Sequence, residues 1–408
     1  MASILGINTS HESSICSMTN GKIDFYHEEA RWCRDKHFHP EPNNTGESAR
    51  WQTLDYAFSD DNPIDYDVVG LVSYDRRMVD VKFGTTVTEE DYTEDSKLLV
   101  GDFKPINYLE DRFLFEDIRM HMRDEPMSRE RLFAMPETFL RNGDEGDVII
   151  HVNEQVEADL RLNNNLLNNY EVEQYDFLQD EHHLLHAFAG LYQSPFKEAL
   201  VLVCDGGGAK HFHEVYPNYQ EIESIYYLSD QDVEPLYKHL TNSRALGDWN
   251  FDCYDGNFFA HQEIFSMDEM CGYDVDLSSR LSEGMKFSQI SAVLGFDDQG
   301  RAAGKAMGMA SYGLEYEWDE YSPAGIAGRL QRDTVDHTAN LIQRALDYKP
   351  ECQNIILSGG YALNCVANYE YLKRFPKINF FIDPAAHDGG TAIGSCVKNH
   401  FYKGLEKA

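Results

Sequence analysis

The chain has 408 residues, of which 42% are hydrophobic, and this is enough apolar material for the cores of two domains of ordinary size. Acidic residues outnumber basic ones by 70 to 35, and the formal charge of −35 excludes a protein that attracts polyanions through a generally cationic surface. The apolar runs have the length of strands, whereas a membrane-spanning helix needs about 20 apolar residues. The N-terminus shows no secretory leader and the eight cysteines show no C-x-x-C spacing, so we expect a cytoplasmic protein with reduced thiols and no membrane partner.

The first part of the chain predicts a three-strand meander. Strands are expected at 3–8, 13–18 and 22–28, with Asn20 and Gly21 forming the tight turn between the second and the third. Further strands are predicted at 67–74 and 148–152, followed by a polar-faced helix at 154–167. The charge-rich stretch from about 87 to 147 is interpreted as a surface insertion.

A similar pattern begins again near residue 198. Strands are predicted at 199–204, about 211–216 and 221–228, and helices then alternate with strands to the C-terminus. The segment at about 230–279 is interpreted as a second insertion. We therefore predict a duplicated α/β architecture, with one lobe at 1–197, the other at 198–408, and the ligand in the cleft.

Two histidines at the start of a predicted helix are spaced as a metal site requires. His182 and His186 are four residues apart, which places them on one helical face, while His183 points elsewhere. Such a pair on its own is more often an ordinary polar face of a helix.

Two aspartates follow predicted strands and precede glycines. Asp205 lies between the strand at 199–204 and Gly206-Gly207-Gly208, and Asp388 precedes Gly389 and Gly390 after a strand at 379–382. The carboxyl ends of strands are where α/β proteins bind ligands in a cleft. For Asp388, a helix N-cap is the alternative interpretation.

Two further glycine runs and one histidine are candidates for nucleotide chemistry. Gly359 and Gly360 end a strand and lead into a helix that carries Asn364 and Asn368, and Gly304-Lys305-Ala306-Met307-Gly308 places a cation among small residues. Neither run has the spacing of a Walker loop, and ordinary turns are the alternative interpretation. His11 follows the first strand, and its side chain has the near-neutral pKa that a general base requires.

Together these residues resemble the O-carbamoyltransferase family, which includes nodulation-factor and antibiotic-tailoring enzymes and is related to the threonylcarbamoyl-transfer proteins of tRNA modification. The motifs that carry the resemblance run in family order over nearly the whole chain: Gly6-Ile7-Asn8 with His11, Ser13 and Ser14; 28–37 (EEARWCRDKH); 182–187 (HHLLHA); 194–196 (SPF); 304–313 (GKAMGMASYG); 357–368 (LSGGYALNCVAN); and 384–390 (PAAHDGG).

The resemblance implies a two-lobed actin-like fold of the ASKHA class, with RNase H-like lobes, and a metal that is usually iron, as Fe2+. It implies that the metal ligands are His182, His186, Asp205 and Asp388 and that His11 is catalytic, with Lys305 stabilising charge on the departing phosphate or AMP. The donor is expected to be carbamoyl phosphate, with ATP or carbamoyl-adenylate. Residues expected to bind the nucleotide or donor are Asn8, Gly206, Gly207, Gly304, Gly308, Gly359, Gly360, Asn364 and Asn368.

The sequence leaves three routes by which the carbamoyl donor could be supplied. In the family, a C-terminal YrdC-like domain makes carbamoyl-adenylate, and this sequence shows no counterpart of it. Either the chain uses carbamoyl phosphate directly, or it performs both steps, or a separate activating protein supplies the adenylate.

The shortened architecture resembles viral members of the family, some of which modify 5-hydroxymethylcytosine, so phage DNA in the host cytoplasm is the leading acceptor. Arg31, Arg34 and Lys36 supply local positive charge, and Trp249 and Phe251 lie in the second insertion, where aromatic rings could stack on a base. The net charge predicts weak non-specific DNA affinity, and a satellite core is the alternative role for the aromatic residues.

Three other functions are weighed against this one. They are transfer to the hydroxyl of a sugar or natural product, phosphoryl transfer by a sugar kinase of the same fold, and adenylate binding by a non-catalytic scaffold. The histidine pair argues against a kinase. The presence of His11 together with four candidate ligands favours an enzyme over a scaffold.

Overall fold

The structure is a computed structural model, and it describes residues 2–10, 12–34, 51–62, 64–72, 86–87, 150–151, 175–177, 181–211, 219–241, 265–267, 273–278, 281–294, 296, 302–315 and 323–405. Several sequence predictions lie outside these residues. They are the helix at 154–167, most of both predicted insertions, and the candidate site residues His11, Lys36, Trp249 and Phe251.

The strands are, in chain order, β1 (Ser3–Asn8), β2 (Ser14–Thr19), β3 (Lys22–Glu28), β4 (Val68–Val72), β5 (Thr86–Val87), β6 (Ile150–His151), β7 (Tyr175–Phe177), β8 (Glu198–Cys204), β9 (Lys210–His211), β10 (Tyr219–Ser229), β11 (Val233–Thr241), β12 (Phe265–Met267), β13 (Asp274–Ser278), β14 (Asn354–Ser358) and β15 (Asn379–Ile382).

The α-helices are α1 (Glu29–Cys33), α2 (Gln52–Ala57), α3 (His182–Gln193), α4 (Glu283–Val293), α5 (Ala303–Glu315), α6 (Pro323–Tyr348), α7 (Cys365–Arg374) and α8 (Thr391–Leu405). Two 3-10 turns precede the last two helices, at Gly360–Leu363 and Asp388–Gly390. In the part of the chain that the structure describes, no helix combines the length and the apolar character that a membrane crossing requires.

The first sheet has the strand order β3-β2-β1-β4-β7. The first three strands form an antiparallel meander, and β4 and β7 then add in parallel on the other side of β1. The predicted tight turn is confirmed, since Asn20 and Gly21 both have positive φ, at 53° and 78°, as the favoured two-residue hairpin turn requires.

The second sheet repeats this arrangement in the order β12-β13-β11-β10-β8-β14-β15. Strands β8, β10 and β11 form an antiparallel meander, and β14 and β15 add in parallel on the other side of β8. Three antiparallel strands followed by two parallel ones thus occur twice along the chain. This duplicated α/β topology is that of the actin-like fold, as predicted.

The second insertion is shorter than predicted from the sequence. Both ends of the 230–279 segment contribute strands to the second sheet, β11 and β13, which pair in parallel. These strands carry charged residues such as Lys238 and Asp276 at buried positions, and their alternation of apolar residues is therefore weak.

The chain divides into two compact units, whose boundaries differ from the predicted division at residue 197. The first comprises 1–185, 209–219 and 388–408, and the second 186–208 and 220–387. The last helix, α8, therefore belongs with the N-terminal sheet, where it packs against β1, β2 and β4. Gly6 of β1 permits this close approach, because a Cβ there would lie 2.1 Å from the Ala392 carbonyl oxygen of α8. On α8 itself, a Cβ on Gly394 would lie 2.0 Å from the Leu185 carbonyl oxygen, so this glycine lets α8 approach the start of α3.

Each unit has its own apolar core. In the first, β1, β2 and β4 pack with α2 through residues that include Leu5, Ile15, Trp51 and Leu71. In the second, the apolar faces of β8 and β14 pack with α6 and α7, through residues that include Leu200, Leu202, Ile342, Ile355 and Tyr371. Burial of these side chains explains why the strands predicted from apolar runs at 3–8, 13–18, 199–204 and 221–228 agree with the structure.

Candidate active site

Helix α3 carries the two candidate histidine ligands one turn apart, as the sequence predicts. His182 lies in the first unit, where its Nε2 atom is 3.6 Å from Oδ1 of Asp388. The two side chains are 12% and 14% exposed, so both are largely buried yet reachable from solvent. His186 lies in the second unit and is buried.

Asp388 is positioned by the turn that begins α8. Its carbonyl oxygen accepts a hydrogen bond from the Thr391 hydroxyl, and the next residue, Gly389, accepts one at 2.7 Å from the Ser14 hydroxyl of β2. Gly389 and Gly390 are buried in this turn. The last helix and the N-terminal meander thus hold the Asp388 carboxylate beside His182.

Asp205 follows β8 in the second unit and is 5% exposed. Its Oδ1 atom accepts a hydrogen bond of 3.1 Å from the backbone N–H of Gly360, and its own N–H donates to the Ile222 carbonyl. The carboxylate is therefore fixed at the carboxyl end of the central strand, which is where the sequence predicts it.

Asp383 is a candidate site residue that the sequence analysis missed. It follows β15, is fully buried, and interacts electrostatically with His186, while burial raises the pKa of its carboxyl group. Its oxygens accept hydrogen bonds from Ser358 Oγ and Gln193 Nε2, both at 2.8 Å. Carboxylates of this kind commonly orient a metal-binding imidazole. The signal in the sequence is an aspartate that directly follows a strand, as Asp205 does.

The glycine turn after Asp205 is held by two residues that the motifs do not include. The Ser282 hydroxyl donates to the Gly206 carbonyl at 3.0 Å, and Gln220 Nε2 donates to the Gly208 carbonyl at 3.0 Å. Ser282 also accepts from the N–H of Met285 and so caps α4, whose first turn lies against Gly206. The start of a capped helix next to this turn is suited to an anion.

The glycine pair after β14 is required by close packing in the same unit. Gly359 has φ of 85°, and a Cβ there would lie 2.3 Å from the Cys204 carbonyl oxygen. Gly360 gives its N–H to Asp205. Both glycines therefore bring the chain close to the end of β8 beside Asp205.

Asn364 and Asn368, which the resemblance assigns to nucleotide binding, have structural partners. Asn364 caps α7 by accepting from the Ala367 N–H at 3.1 Å, and its amide exchanges two hydrogen bonds with the amide of Gln331 on α6. Asn368 donates to the Ala362 carbonyl at 2.7 Å. Their amides therefore stabilise the turn that follows Gly360.

Asn8 is likewise buried, and its side chain bonds to the backbone of Ser10 and of Glu12. Its Oδ1 accepts from the Ser10 N–H, and its Nδ2 donates to the Glu12 carbonyl, both at 3.1 Å. His11 itself lies outside the described residues, but the two residues on either side of it are fixed by Asn8.

The run from Gly304 to Gly308 is helical and not a turn, which corrects the alternative interpretation of that run. It forms the first part of α5, with Gly304, Lys305 and Gly308 exposed. The alanines and methionines between the glycines favour a helix and outweigh the glycines' preference for turns. On the first unit, Arg31 and Arg34 are exposed at α1, with Arg31 bound to Glu28 at 2.9 Å.

The donor set fits a transition metal. Imidazole nitrogens and carboxylate oxygens in this combination suit zinc or ferrous iron, whereas magnesium and calcium favour oxygen ligands alone. The fold defines an actin-like protein, and these histidines and aspartates are its candidate metal ligands.

Comparison with known proteins relates one segment of the chain to a described family. Residues 324–397 match the family model described as Carbamoyltransferase N-terminus, and this segment contains β14, the Gly359–Gly360 pair and Asp388. The predicted relation to carbamoyltransferases is thereby confirmed for that segment.

Two curated relatives have weaker similarity over about half of the chain. The uncharacterized protein MJ1058 of Methanocaldococcus jannaschii is 24% identical over 261 residues, which are 53% of this chain and 36% of that protein. The uncharacterized protein sll1178 of Synechocystis is 25% identical over 236 residues, 54% of this chain and 36% of that protein. Each alignment spans little more than a third of the relative's length.

Among solved structures, full-length HypF in its phosphate- and nucleotide-bound form aligns with 98% of this chain and 55% of its own, at a TM-score of 0.47 and 11% identity.

Proposed function

We propose that the chain is a metal-dependent O-carbamoyltransferase. The observation that carries the proposal is the match to the carbamoyltransferase family over 324–397, a segment that supplies the carboxylate found beside His182. The proposed donor is carbamoyl phosphate, used directly or through carbamoyl-adenylate made with ATP.

We propose that His182, His186, Asp205 and Asp388 hold one divalent ion, with Fe2+ as the expected metal. A bound ion of this kind polarises a carbonyl or phosphoryl oxygen as a Lewis acid. Gly360 keeps the Asp205 carboxylate oriented through its N–H.

The donor phosphate is proposed to bind at the glycine turn after Asp205. The start of α4, capped by Ser282, provides backbone N–H groups and the positive end of a helix dipole next to Gly206. These groups stabilise negative charge on the phosphate or AMP as it departs. Lys305 is proposed to add a positive charge.

In the transfer step, the acceptor hydroxyl oxygen forms a bond to the carbamoyl carbon, and the bond from that carbon to the phosphate oxygen breaks. The departing phosphate, or AMP, takes the electron pair of the broken bond. His11 accepts the proton of the hydroxyl as general base. The Asn8 side chain supports this role because it fixes the residues on both sides of position 11.

The proposed acceptor is the hydroxymethyl group of 5-hydroxymethylcytosine in phage DNA. Exposed Arg31 and Arg34 support it, because they supply positive charge in the first unit of an otherwise strongly acidic protein. A target base would have to leave the duplex to reach a catalytic group.

The experiment uses the purified, iron-loaded full chain with carbamoyl phosphate, with and without ATP. The acceptors are DNA containing 5-hydroxymethylcytosine, unmodified DNA and a panel of sugars. Mass spectrometry is expected to find the carbamoylated nucleoside only from the modified DNA. Asp388→Asn is expected to lower the rate by more than the roughly 100-fold typical of losing an outer partner of a metal ligand.

Asp347→Asn is the matched control, since Asp347 is exposed on α6 and is expected to leave the rate unchanged. A carbamoylated sugar without carbamoylated DNA would reject the acceptor and keep the transferase. No carbamoylated product from any acceptor would reject the transferase itself.

A further inference from the structure

A second group of metal-binding side chains lies within the second unit and includes none of the residues placed in the active site. It consists of Glu223 on β10, His239 on β11 and His337 on α6. Each residue offers one ligand atom, and these atoms all lie within 4.8 Å of one another.

The fold itself brings these residues together. Glu223 and His239 are direct partners in the antiparallel register of β10 and β11, so their side chains stand on the same face of the sheet. Helix α6 packs against the neighbouring strand β8 and supplies His337. The cluster thus joins three separate chain segments.

Both oxygens of one carboxylate are engaged by the two imidazoles. Glu223 Oε2 is 2.8 Å from His239 Nδ1, and Glu223 Oε1 is 2.7 Å from His337 Nε2. Glu223 and His239 are fully buried, whereas the His337 side chain is 21% exposed. The site is therefore closed on the side of the sheet and can be reached from solvent past His337.

A second carboxylate lies next to this group. Glu283 Oε1 is 3.9 Å from His337 Nε2, and the Glu283 side chain is fully buried. Lys286 forms an ion pair with Glu283 at 3.1 Å. The cluster thus combines two buried carboxylates with two imidazoles, groups that a cation can bridge.

We propose that Glu223, His239 and His337 bind a zinc ion. Two imidazoles and one carboxylate suit the nitrogen and oxygen preferences of zinc, and its tetrahedral coordination leaves one further position. At zinc-to-ligand distances of about 2.0–2.1 Å, two tetrahedral ligand atoms lie roughly 3.3 Å apart. The three ligand atoms, one from each residue, lie within 4.8 Å of one another, so rotations of the side chains would bring them to this spacing as zinc replaces the hydrogen-bonded protons.

The zinc ion would have a structural role. It would link β10, β11 and the long helix α6.

The test counts metal in a protein whose proposed catalytic site is disabled. The full chain with Asp388→Asn is stripped with a chelator, incubated with zinc, passed over a desalting column and measured by elemental analysis. This parent is expected to retain about one zinc ion per chain, and adding His337→Gln is expected to weaken zinc binding at least 10-fold. Parent protein with His27→Gln, which changes a histidine of the first unit, is the matched control and should bind zinc as the parent does.

His337→Gln is chosen because glutamine keeps a hydrogen-bond donor to Glu223 while removing the metal-binding nitrogen. If this variant fails to fold, the zinc ligands of the parent are identified by X-ray absorption spectroscopy of the zinc-loaded protein. Imidazole and carboxylate ligands are expected, and sulfur ligands would contradict the site. No zinc bound by the parent, or equal zinc affinity with and without His337→Gln, would overturn the proposal. Neither readout involves carbamoyl transfer, so the two proposals fail independently.

Discussion

The backbone N–H of Gly360 donates a hydrogen bond of 3.1 Å to Oδ1 of Asp205, across the carboxyl ends of two neighbouring parallel strands. This bond fixes a candidate metal ligand by means of a backbone group rather than a side chain. It depends on the preceding residue, Gly359, whose positive φ turns the chain toward β8.

Gly359→Ala is therefore expected to destabilise the protein. Alanine at φ of 85° is strained by about 1–3 kcal/mol, and its Cβ would lie 2.3 Å from the Cys204 carbonyl oxygen. Denaturant unfolding followed by circular dichroism measures the loss. Gly304→Ala is the matched control, since a Cβ there meets nothing within 4 Å and alanine favours the helix, so it is expected to stabilise by up to about 1 kcal/mol. Equal stability of the two variants would contradict the role given to Gly359.

Asn8→Ala is expected to destabilise the protein by about 1–3 kcal/mol, because it leaves the Ser10 N–H and the Glu12 carbonyl without their side-chain partner. Urea unfolding measures this change. Asn8→Asp is the informative comparison, since a carboxylate can still accept from Ser10 but cannot donate to Glu12. It is expected to fall between wild type and alanine, and an alanine variant as stable as wild type would show that the stability of the protein does not depend on Asn8.

Sequence patterns predicted what depends on local spacing. The strand positions follow from apolar runs buried in the two cores, and the helical pairing of His182 with His186 follows from a spacing of four. The aspartates at strand ends follow from the position of the strands. Each of these inferences uses residues that are close together along the chain.

What the sequence did not predict depends on contacts between distant segments. Asp383, Gln220 and Ser282 acquire their roles from partners brought together only by the fold. Glu29 shows the same difficulty within a recognised motif. It is buried and accepts hydrogen bonds from Gln52 and Thr53 at the start of α2, so its structural role is evident only from the tertiary structure.

His27 is expected to make the protein less stable in acid. Burial lowers its pKa below the ordinary value of about 6.5, so the unfolded chain binds the proton more readily than the folded one. The contribution of neutral His27 is thus present above about pH 6.5 and is lost as the pH falls toward the lower folded-state pKa. Phenylalanine does not titrate and suits the surrounding rings of Phe25, Trp32 and Tyr56.

His27→Phe should therefore lose less stability than wild type between pH 8 and pH 5, as measured by urea unfolding at both values. Tyr56→Phe serves as the comparison because it changes a ring in the same cluster and retains His27. If His27→Phe and Tyr56→Phe lose the same stability on acidification, the histidine does not cause the acid sensitivity.

Gly6→Ala tests the assignment of the last helix to the N-terminal unit. A Cβ on Gly6 would lie 2.1 Å from the Ala392 carbonyl oxygen and 3.1 Å from Cys396 Sγ, so α8 would have to move away from β1. Because α8 begins directly after the Asp388 turn, this movement is expected to displace Asp388 from His182 and to weaken binding at the proposed catalytic metal site as well as the fold. Overpacking of this kind typically costs about 1–3 kcal/mol.

Hydrogen exchange should show faster exchange in α8 and β1 of the Gly6→Ala variant than in wild type, with β14 and β15 of the second unit unchanged. Gly308→Ala, where a Cβ meets nothing within 4 Å, should leave exchange in α8 as it is in wild type. Wild-type exchange in α8 of Gly6→Ala would mean that this close approach does not hold the helix in place.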